Sequence, residues 1–228
     1  MQKRQDTIID PDIKIIQTED SFCYSTDTLL LYEFISEVFD FSKPAKVLEL
    51  GAGTGGLCIV LAKKYPDSKV FGIEIQPHLI ELANESASLN RIDNVNFMCG
   101  DIRKVKGNYY PEYYNLIVTN PPYFKLGTGR INKNSKKAQA KHEIKCTLSD
   151  IFEAASFSIK KTGTFCLIQH YSRFYDVINE AAKNGFELIC MRPVYLTQNQ
   201  PANATHCLFA FGKNHKKEPQ IMPPKYIR

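Results

Sequence analysis

Apolar residues along this chain change their spacing repeatedly, and each change marks a switch between strand and helix. Five short runs read as buried parallel strands: Lys46–Leu50, Lys69–Ile73, Val95–Cys99, Tyr114–Thr119 and Thr164–Ile168. Helical stripes fall between them. One helix, with Ser25 and Thr26 as candidate caps, carries Leu29, Leu30, Phe34 and Val38. Others run through Leu57, Val60 and Leu61, from Pro77 toward Leu89, and through Phe152, Ala155 and Ile159 behind a Thr147 cap. A further helix starts near Ser172 and ends at Gly185, a residue suited to a left-handed C-terminal cap. Two closing runs, roughly 187–196 and 205–211, have no helix between them and are expected to pair antiparallel at one edge. The expected fold is α/β: a Rossmann-like, doubly wound, mostly parallel seven-stranded sheet with an antiparallel edge hairpin. An irregular or hairpin-like segment, 1–24, precedes a single domain, 25–212, and a basic tail, 213–228, follows it.

Composition agrees with one sizeable domain: 228 residues, 43% hydrophobic and 23% charged. No apolar run approaches the roughly 20 residues of a membrane helix, and no apolar stretch follows the N-terminal Met1–Asp6 as in a signal peptide. The 7 Cys include no C-x-x-C pair, and Cys58, Cys99, Cys166, Cys190 and Cys207 sit inside apolar runs. Reduced, buried thiols in a cytoplasmic protein are expected, with neither a disulfide framework nor a metal site. The net charge of +5 is unevenly spread. Residues 125–145 carry seven basic side chains (Lys125, Arg130, Lys133, Lys136, Lys137, Lys141 and Lys145) against Glu143, and residues 213–228 carry five against Glu218. Either these are solvated stretches, or they are surfaces that contact phosphates.

The first strand runs into a glycine turn, Glu49-Leu50-Gly51-Ala52-Gly53-Thr54-Gly55-Gly56. An open α/β sheet binds nucleotides at this place. The glycines alone fit either a dinucleotide or S-adenosylmethionine. Glu49 tips the choice, because a carboxylate there repels a pyrophosphate and suits the sulfonium and ammonium of S-adenosylmethionine. Glu74, ending the second strand, is placed to accept both ribose hydroxyls, and Asp101, after the third, to accept from the adenine amino group.

The fourth strand is followed at once by Asn120-Pro121-Pro122-Tyr123. The prolines stiffen the backbone and remove two donors, leaving the Asn120 side-chain oxygen and the Pro121 carbonyl as fixed acceptors. Two acceptors can hold both hydrogens of a planar amino group and draw its nitrogen toward tetrahedral geometry, which exposes the lone pair. Tyr123 can stack on the attached ring. That chemistry needs positioning rather than a metal.

These motifs resemble class I S-adenosylmethionine-dependent methyltransferases of the Asn-Pro-Pro-Tyr type, over roughly residues 20–212. The nearer likeness is to the bacterial valine-tRNA adenine N6-methyltransferases. It rests on Gln17…Phe22-Cys23-Tyr24-Ser25-Thr26-Asp27-Thr28-Leu29-Leu30, on Tyr123-Phe124 with Gly127, and on Ala140-Lys141-His142-Glu143, where the family usually has Arg for Lys141. The resemblance implies the class I methyltransferase fold and S-adenosylmethionine as cofactor. It implies cofactor contacts from Asp27, Glu49, Gly51, Gly53, Gly55, Glu74, Asp101, Ile102 and Asn120, and catalysis by Asn120, Pro121, Pro122 and Tyr123. RNA contacts are expected from Lys125, Arg130, Lys133, Lys136, Lys137 and Lys141, with tRNA as partner and neither a membrane nor an obligate protein partner. The expected reaction is methylation of an adenine N6 in tRNA, the adenine 3′ of the anticodon. The rivals are a release-factor glutamine methyltransferase, an rRNA guanine N2-methyltransferase, a DNA adenine methyltransferase, and a non-catalytic RNA binder on the same scaffold.

Overall fold

A computed structural model describes residues 3–18, 26–104, 111–121, 146–198 and 204–227. Seven strands form the body of the sheet: β3 (Lys46–Leu50), β4 (Lys69–Glu74), β5 (Val95–Cys99), β6 (Tyr114–Thr119), β7 (Ile159–His170), β8 (Glu187–Tyr195) and β9 (His206–Gly212). Their spatial order is β8-β9-β7-β6-β3-β4-β5, all parallel except β9. The order reverses at β3, the first strand laid down in the body of the sheet, which sits between β4 and β6. Each interior strand is apolar on both faces and divides its residues by alternation. Val47, Val70, Leu116, Val118, Cys166 and Ile168 belong to one buried cluster. Leu48, Leu50, Ile73, Ile117, Phe165 and Leu167 belong to the other. Helices α1 (Thr26–Val38), α2 (Gly56–Lys64) and α3 (Pro77–Leu89) cover the first face, and α4 (Leu148–Ser158) and α5 (Phe174–Lys183) the second.

The helix ends follow their local chemistry. Thr147 and Asp150 form a reciprocal capping box at the start of α4, with Asp150 N–H donating to Thr147 Oγ1 at 3.2 Å and Thr147 N–H to Asp150 Oδ2 at 2.7 Å. Helix α5 ends at Gly185, whose φ of 72° lets Phe186 N–H reach the Ala181 carbonyl at 2.9 Å.

Elsewhere the structure departs from the sequence expectation. Ile159 starts β7 instead of continuing α4, and the strand runs from 159 to 170 rather than 164 to 168. Its register against β6 slips between Tyr114↔Ile159 and Leu116↔Thr164, so Lys160–Gly163 bulge out of the ladder. Residues Lys3–Ile8 (β1) and Asp10–Thr18 (β2) form a separate antiparallel hairpin. Helix α3 satisfies the free edge of β2: Lys14 N–H donates to Asn90 Oδ1 at 3.0 Å, Asn90 Nδ2 to the Lys14 carbonyl, and Ile16 N–H to Ser86 Oγ at 2.8 Å. At the far side, Gln220–Ile221 (β10) and Lys225–Tyr226 (β11) pair in parallel with β8, so the β8–β9 hairpin is not outermost. Lys225 of this basic stretch is bound to Glu33 on α1 at 2.6 Å. Of the thiols expected to be buried, Cys58, Cys166, Cys190 and Cys207 are; Cys99, near the open end of β5, is exposed.

Candidate active site

The glycine turn is held from both sides. Gly51 N–H and Ala52 N–H both donate to the Ile73 carbonyl, at 2.9 and 2.8 Å. Gly51, Gly53 and Gly55 have φ of 76°, 55° and 79°, a region that L side chains disfavour. They differ in their surroundings. A Cβ on Gly51 or Gly53 would meet nothing within 4 Å, so these two positions face open space where a ligand can approach the backbone. A Cβ on Gly55 would lie 2.6 Å from Phe97 Cζ and 2.9 Å from Ala83 Cβ. Gly55, expected among the cofactor contacts, is a packing position where β5 and α3 close against the turn.

The two glutamates also divide. Glu74 lies at the end of β4, and its Oε2 accepts from Gly53 N–H at 3.1 Å while Oε1 accepts from Gln76 N–H at 3.0 Å. Oε1 also accepts from Gln76 Nε2 at 3.2 Å, so it is Oε2 that keeps a second lone pair for a hydroxyl. Glu49 is only 5% exposed and lies under the turn. Its Oε2 accepts from Cys58 Sγ–H at 3.0 Å, and its carboxyl also accepts from Cys58 backbone N–H. Gly55 occupies the N-cap of α2 and has no side chain to cap it. Glu49 reaches across from β3 and supplies that cap. Burial pushes its pKa up to about 8, partly offset by the Cys58 hydrogen bonds and reinforced by the Glu74 charge. The carboxyl that the sequence places toward the ligand is hydrogen-bonded to Cys58 at the start of α2. Asp101, just past β5, receives Arg103 Nη2 at 2.6 Å, and the Arg103 guanidinium holds its carboxyl below the usual range. Ile102 opens the short turn after it.

The substrate side begins at the end of β6. The buried Thr119 hydroxyl donates to the Leu50 carbonyl at 2.8 Å, which pins the last residue of β6 to the residue preceding Gly51. Asn120, half-buried, and Pro121, buried, therefore leave the sheet directly beside the glycine turn. Pro122, Tyr123 and the basic segment with Lys125, Arg130, Lys133, Lys136, Lys137 and Lys141 lie outside the described residues. One strand further on, His170 ends β7 and faces His206 of β9, ring centroids 5.6 Å apart. Burial lowers the pKa of both rings, and Asp27 at the start of α1 partly opposes this at His206. Asp27, expected near the methionine end of the cofactor, lies close enough to His206 to act on it electrostatically.

The family model described as "Methyltransferase domain" matches residues 41–218. The chain belongs to this methyltransferase family. A Porphyromonas gingivalis protein named tRNA1(Val) (adenine(37)-N6)-methyltransferase is 31% identical over 72% of the methyltransferase chain and 64% of its own length. The chain thus spans a little under two thirds of that relative. A release factor glutamine methyltransferase from Fusobacterium nucleatum is 28% identical over 72% of the chain and 48% of its own length. Among solved structures, a predicted O-methyltransferase from Agrobacterium tumefaciens superposes with a TM-score of 0.67 at 17% identity, covering 89% of this chain and 88% of that one. M. jannaschii TYW2 in complex with AdoMet superposes at 0.59 and 18% identity, covering 92% and 86%. These structures share the class I methyltransferase fold.

The cofactor of this methyltransferase is S-adenosylmethionine, and its residues fit that molecule. Two glycines leave the backbone open above the turn. Glu74 and Asp101 close successive strands beside it. Sequence reasoning missed Thr119, because a threonine ending a strand carries no signal of its hydroxyl's target. It also missed the capping role of Glu49, which depends on how β3 and α2 meet.

Proposed function

We propose that this protein transfers the methyl group of S-adenosylmethionine to a planar amino nitrogen, and that its substrate is the N6 amino group of an adenine in tRNA. The observation that carries the reading is the placement of Asn120 and Pro121 beside the glycine turn, tethered by the Thr119–Leu50 bond. Asn120 Oδ1 and the Pro121 carbonyl accept the two amino hydrogens. S-adenosylmethionine, when bound, would supply the methyl group from its sulfonium and leave as the neutral thioether; Asn120 and Pro121 hold the amino group so that its lone pair is free to take that methyl, and the displaced proton leaves to water. Fixed acceptors supply the preorganisation that such a transfer needs.

Support for tRNA comes from the basic residues of 125–145 and from the names of relatives such as the P. gingivalis protein. Among the described residues no helix is long and apolar enough to cross a membrane. The test is methyl transfer from labelled S-adenosylmethionine to unmodified tRNA, with a release factor and duplex DNA in parallel, followed by digestion and mass analysis. N6-methyladenosine in tRNA alone is the expected product. Label in release-factor glutamine alone would replace this reading with that of the F. nucleatum relative. Asn120→Ala should abolish most turnover while the cofactor still binds; a collapse of cofactor binding would remove Asn120 from the substrate side.

A further inference from the structure

The described residues expose five large apolar side chains: Leu89, Tyr171, Tyr175, Leu196 and Ile221. Three of them follow strands that end at the same edge of the sheet. Tyr171 and Tyr175 follow β7, and Leu196 follows β8, which runs in the same direction two strands away. The turn there is tightly built. Tyr171 N–H donates to the Thr205 carbonyl at 3.1 Å, and Thr205 N–H to the Val194 carbonyl at 2.8 Å, so β7, β9 and β8 end level with one another. His170 Nδ1 lies 2.8 Å from Ser172 Oγ and caps the short helix Tyr171–Arg173. The His170 ring backs Tyr171 at a centroid distance of 5.2 Å, and Phe174 meets Tyr175 edge-on at 5.8 Å. The result is two ring pairs on consecutive short stretches of chain, His170–Tyr171 and Phe174–Tyr175, with Tyr175 79% and Tyr171 38% exposed.

The turn that carries them lies on the substrate side. β6 and β7 are parallel neighbours, with Thr119 opposite Leu167, so Asn120 and His170 leave the sheet at the same edge within about one strand spacing, ~4.8 Å, laterally. Its chemistry is that of a base face rather than a phosphate. Arg173, the cation within the turn, is committed to Asp176 at 2.7 Å and is mostly covered. Exposed aromatic planes on a rigid support hold unpaired bases irrespective of sequence, and a duplex cannot reach them with its stacked bases.

We infer that Tyr171 and Tyr175 form a stacking platform for an unpaired RNA base next to the target adenine, so that single-stranded character around the target is read by this turn. The inference rests on the RNA reading above. The platform acts on substrate binding; Asn120 and Pro121 keep the chemical step.

The test compares the wild type, the double variant Y171A/Y175A and the double variant Y171F/Y175F. Each is titrated across a salt series with an unmodified anticodon stem-loop RNA and with a fully paired duplex of the same length, and S-adenosylmethionine affinity is measured beside them. The alanine pair should weaken stem-loop binding by about ten- to a hundred-fold, in line with loss of base–aromatic stacking. It should leave the slope against salt, the duplex affinity and the cofactor affinity where they were, since no phosphate contact is removed. The phenylalanine pair should keep wild-type binding. The platform is overturned if stem-loop affinity changes by less than about two-fold, if duplex binding falls equally, or if phenylalanine fails as badly as alanine. A wild type that neither binds nor methylates RNA but labels release-factor glutamine would overturn the RNA reading and the platform with it. That outcome is distinct from an RNA-active enzyme indifferent to both tyrosines.

Discussion

Glu49 makes the cofactor-free protein's stability depend on pH in a direction opposite to that of an ion-paired carboxylate. Its pKa, raised by burial to about 8 from an ordinary 4.5, means that the folded state binds the Glu49 proton more tightly than the unfolded chain does. Below pH 4.5 both states hold the proton and the group contributes no pH dependence. From there up to about 8 the unfolded chain is ionised while the folded one is not, so stability falls as pH rises. At 1.36 kcal/mol per pH interval, the loss accumulates to at most about 5 kcal/mol. Glu49→Gln keeps an oxygen acceptor for Cys58 and cannot ionise, so it removes this dependence. The assay is the melting temperature of both proteins without cofactor from pH 5 to pH 9. Groups that do not interact with Glu49 are common to both and cancel in the difference; Cys58 and Glu74, which do interact with it, alter the size of the difference and not its sign. At pH 5 the two should melt within a few degrees. By pH 9 the glutamine variant should melt higher by up to about 10 °C, taking about 2 °C per kcal/mol for a chain of this size. Two curves that stay parallel across the range would refute the reasoning, because Glu49 would then be hydrated or compensated by a charge that the fold does not display.

Three further outcomes test how the site is built. Gly55→Ala should lower the melting temperature far more than Gly51→Ala, since the first adds a clash with Phe97 and Ala83 and the second only backbone strain of about 1–2 kcal/mol. Gly51→Ala should instead weaken S-adenosylmethionine binding, read by calorimetry, and equal stability losses would show that the open space above Gly51 is misread. Thr119→Val leaves the Leu50 carbonyl without its donor and should cost about 1–3 kcal/mol in urea unfolding; turnover should fall as well, because the link between Asn120 and the glycine turn is cut. Asn90→Ala removes both bonds to Lys14, so amide hydrogen exchange should quicken in 3–18 while β3 and β6 stay protected.

The strand–turn–helix succession was legible because its signals are local: apolar runs, glycines, Pro77, the Thr147 cap and Gly185. The two halves of the site were legible for the same reason, since each is a contiguous motif at the end of a strand. What escaped the sequence is non-local. Ile159 has the spacing of a helical residue and is claimed by the sheet instead, because it pairs opposite Tyr114. Ser86 and Asn90 resemble ordinary polar helix positions until β2 is laid against them. Asn94 is another such case: its Nδ2 donates to the Ala62 and Ser68 carbonyls at 3.0 and 2.9 Å, closing the turn between α2 and β4. Glu49 sits where a ligand-facing acid is expected and caps a helix. A motif states which residues are near a ligand, and only packing states which of them face it.

The two short pieces laid along β8 have a consequence for how molecules meet one another. Between β10 and β11 the chain reads Met222-Pro223-Pro224. Met222 donates inward to the Met191 carbonyl at 2.8 Å, but neither proline has an N–H to offer any further strand. The sheet therefore ends in a border that cannot serve as a template. A second molecule arriving edge-on finds two dipeptide bridges interrupted by a stretch without donors, and the ladder cannot propagate from one copy to the next. Stripping 220–226 from β8 would bare the edge of β8 along Cys190, Met191, Val194 and Tyr195, and self-association, rather than loss of the active site, is the first defect expected of that protein.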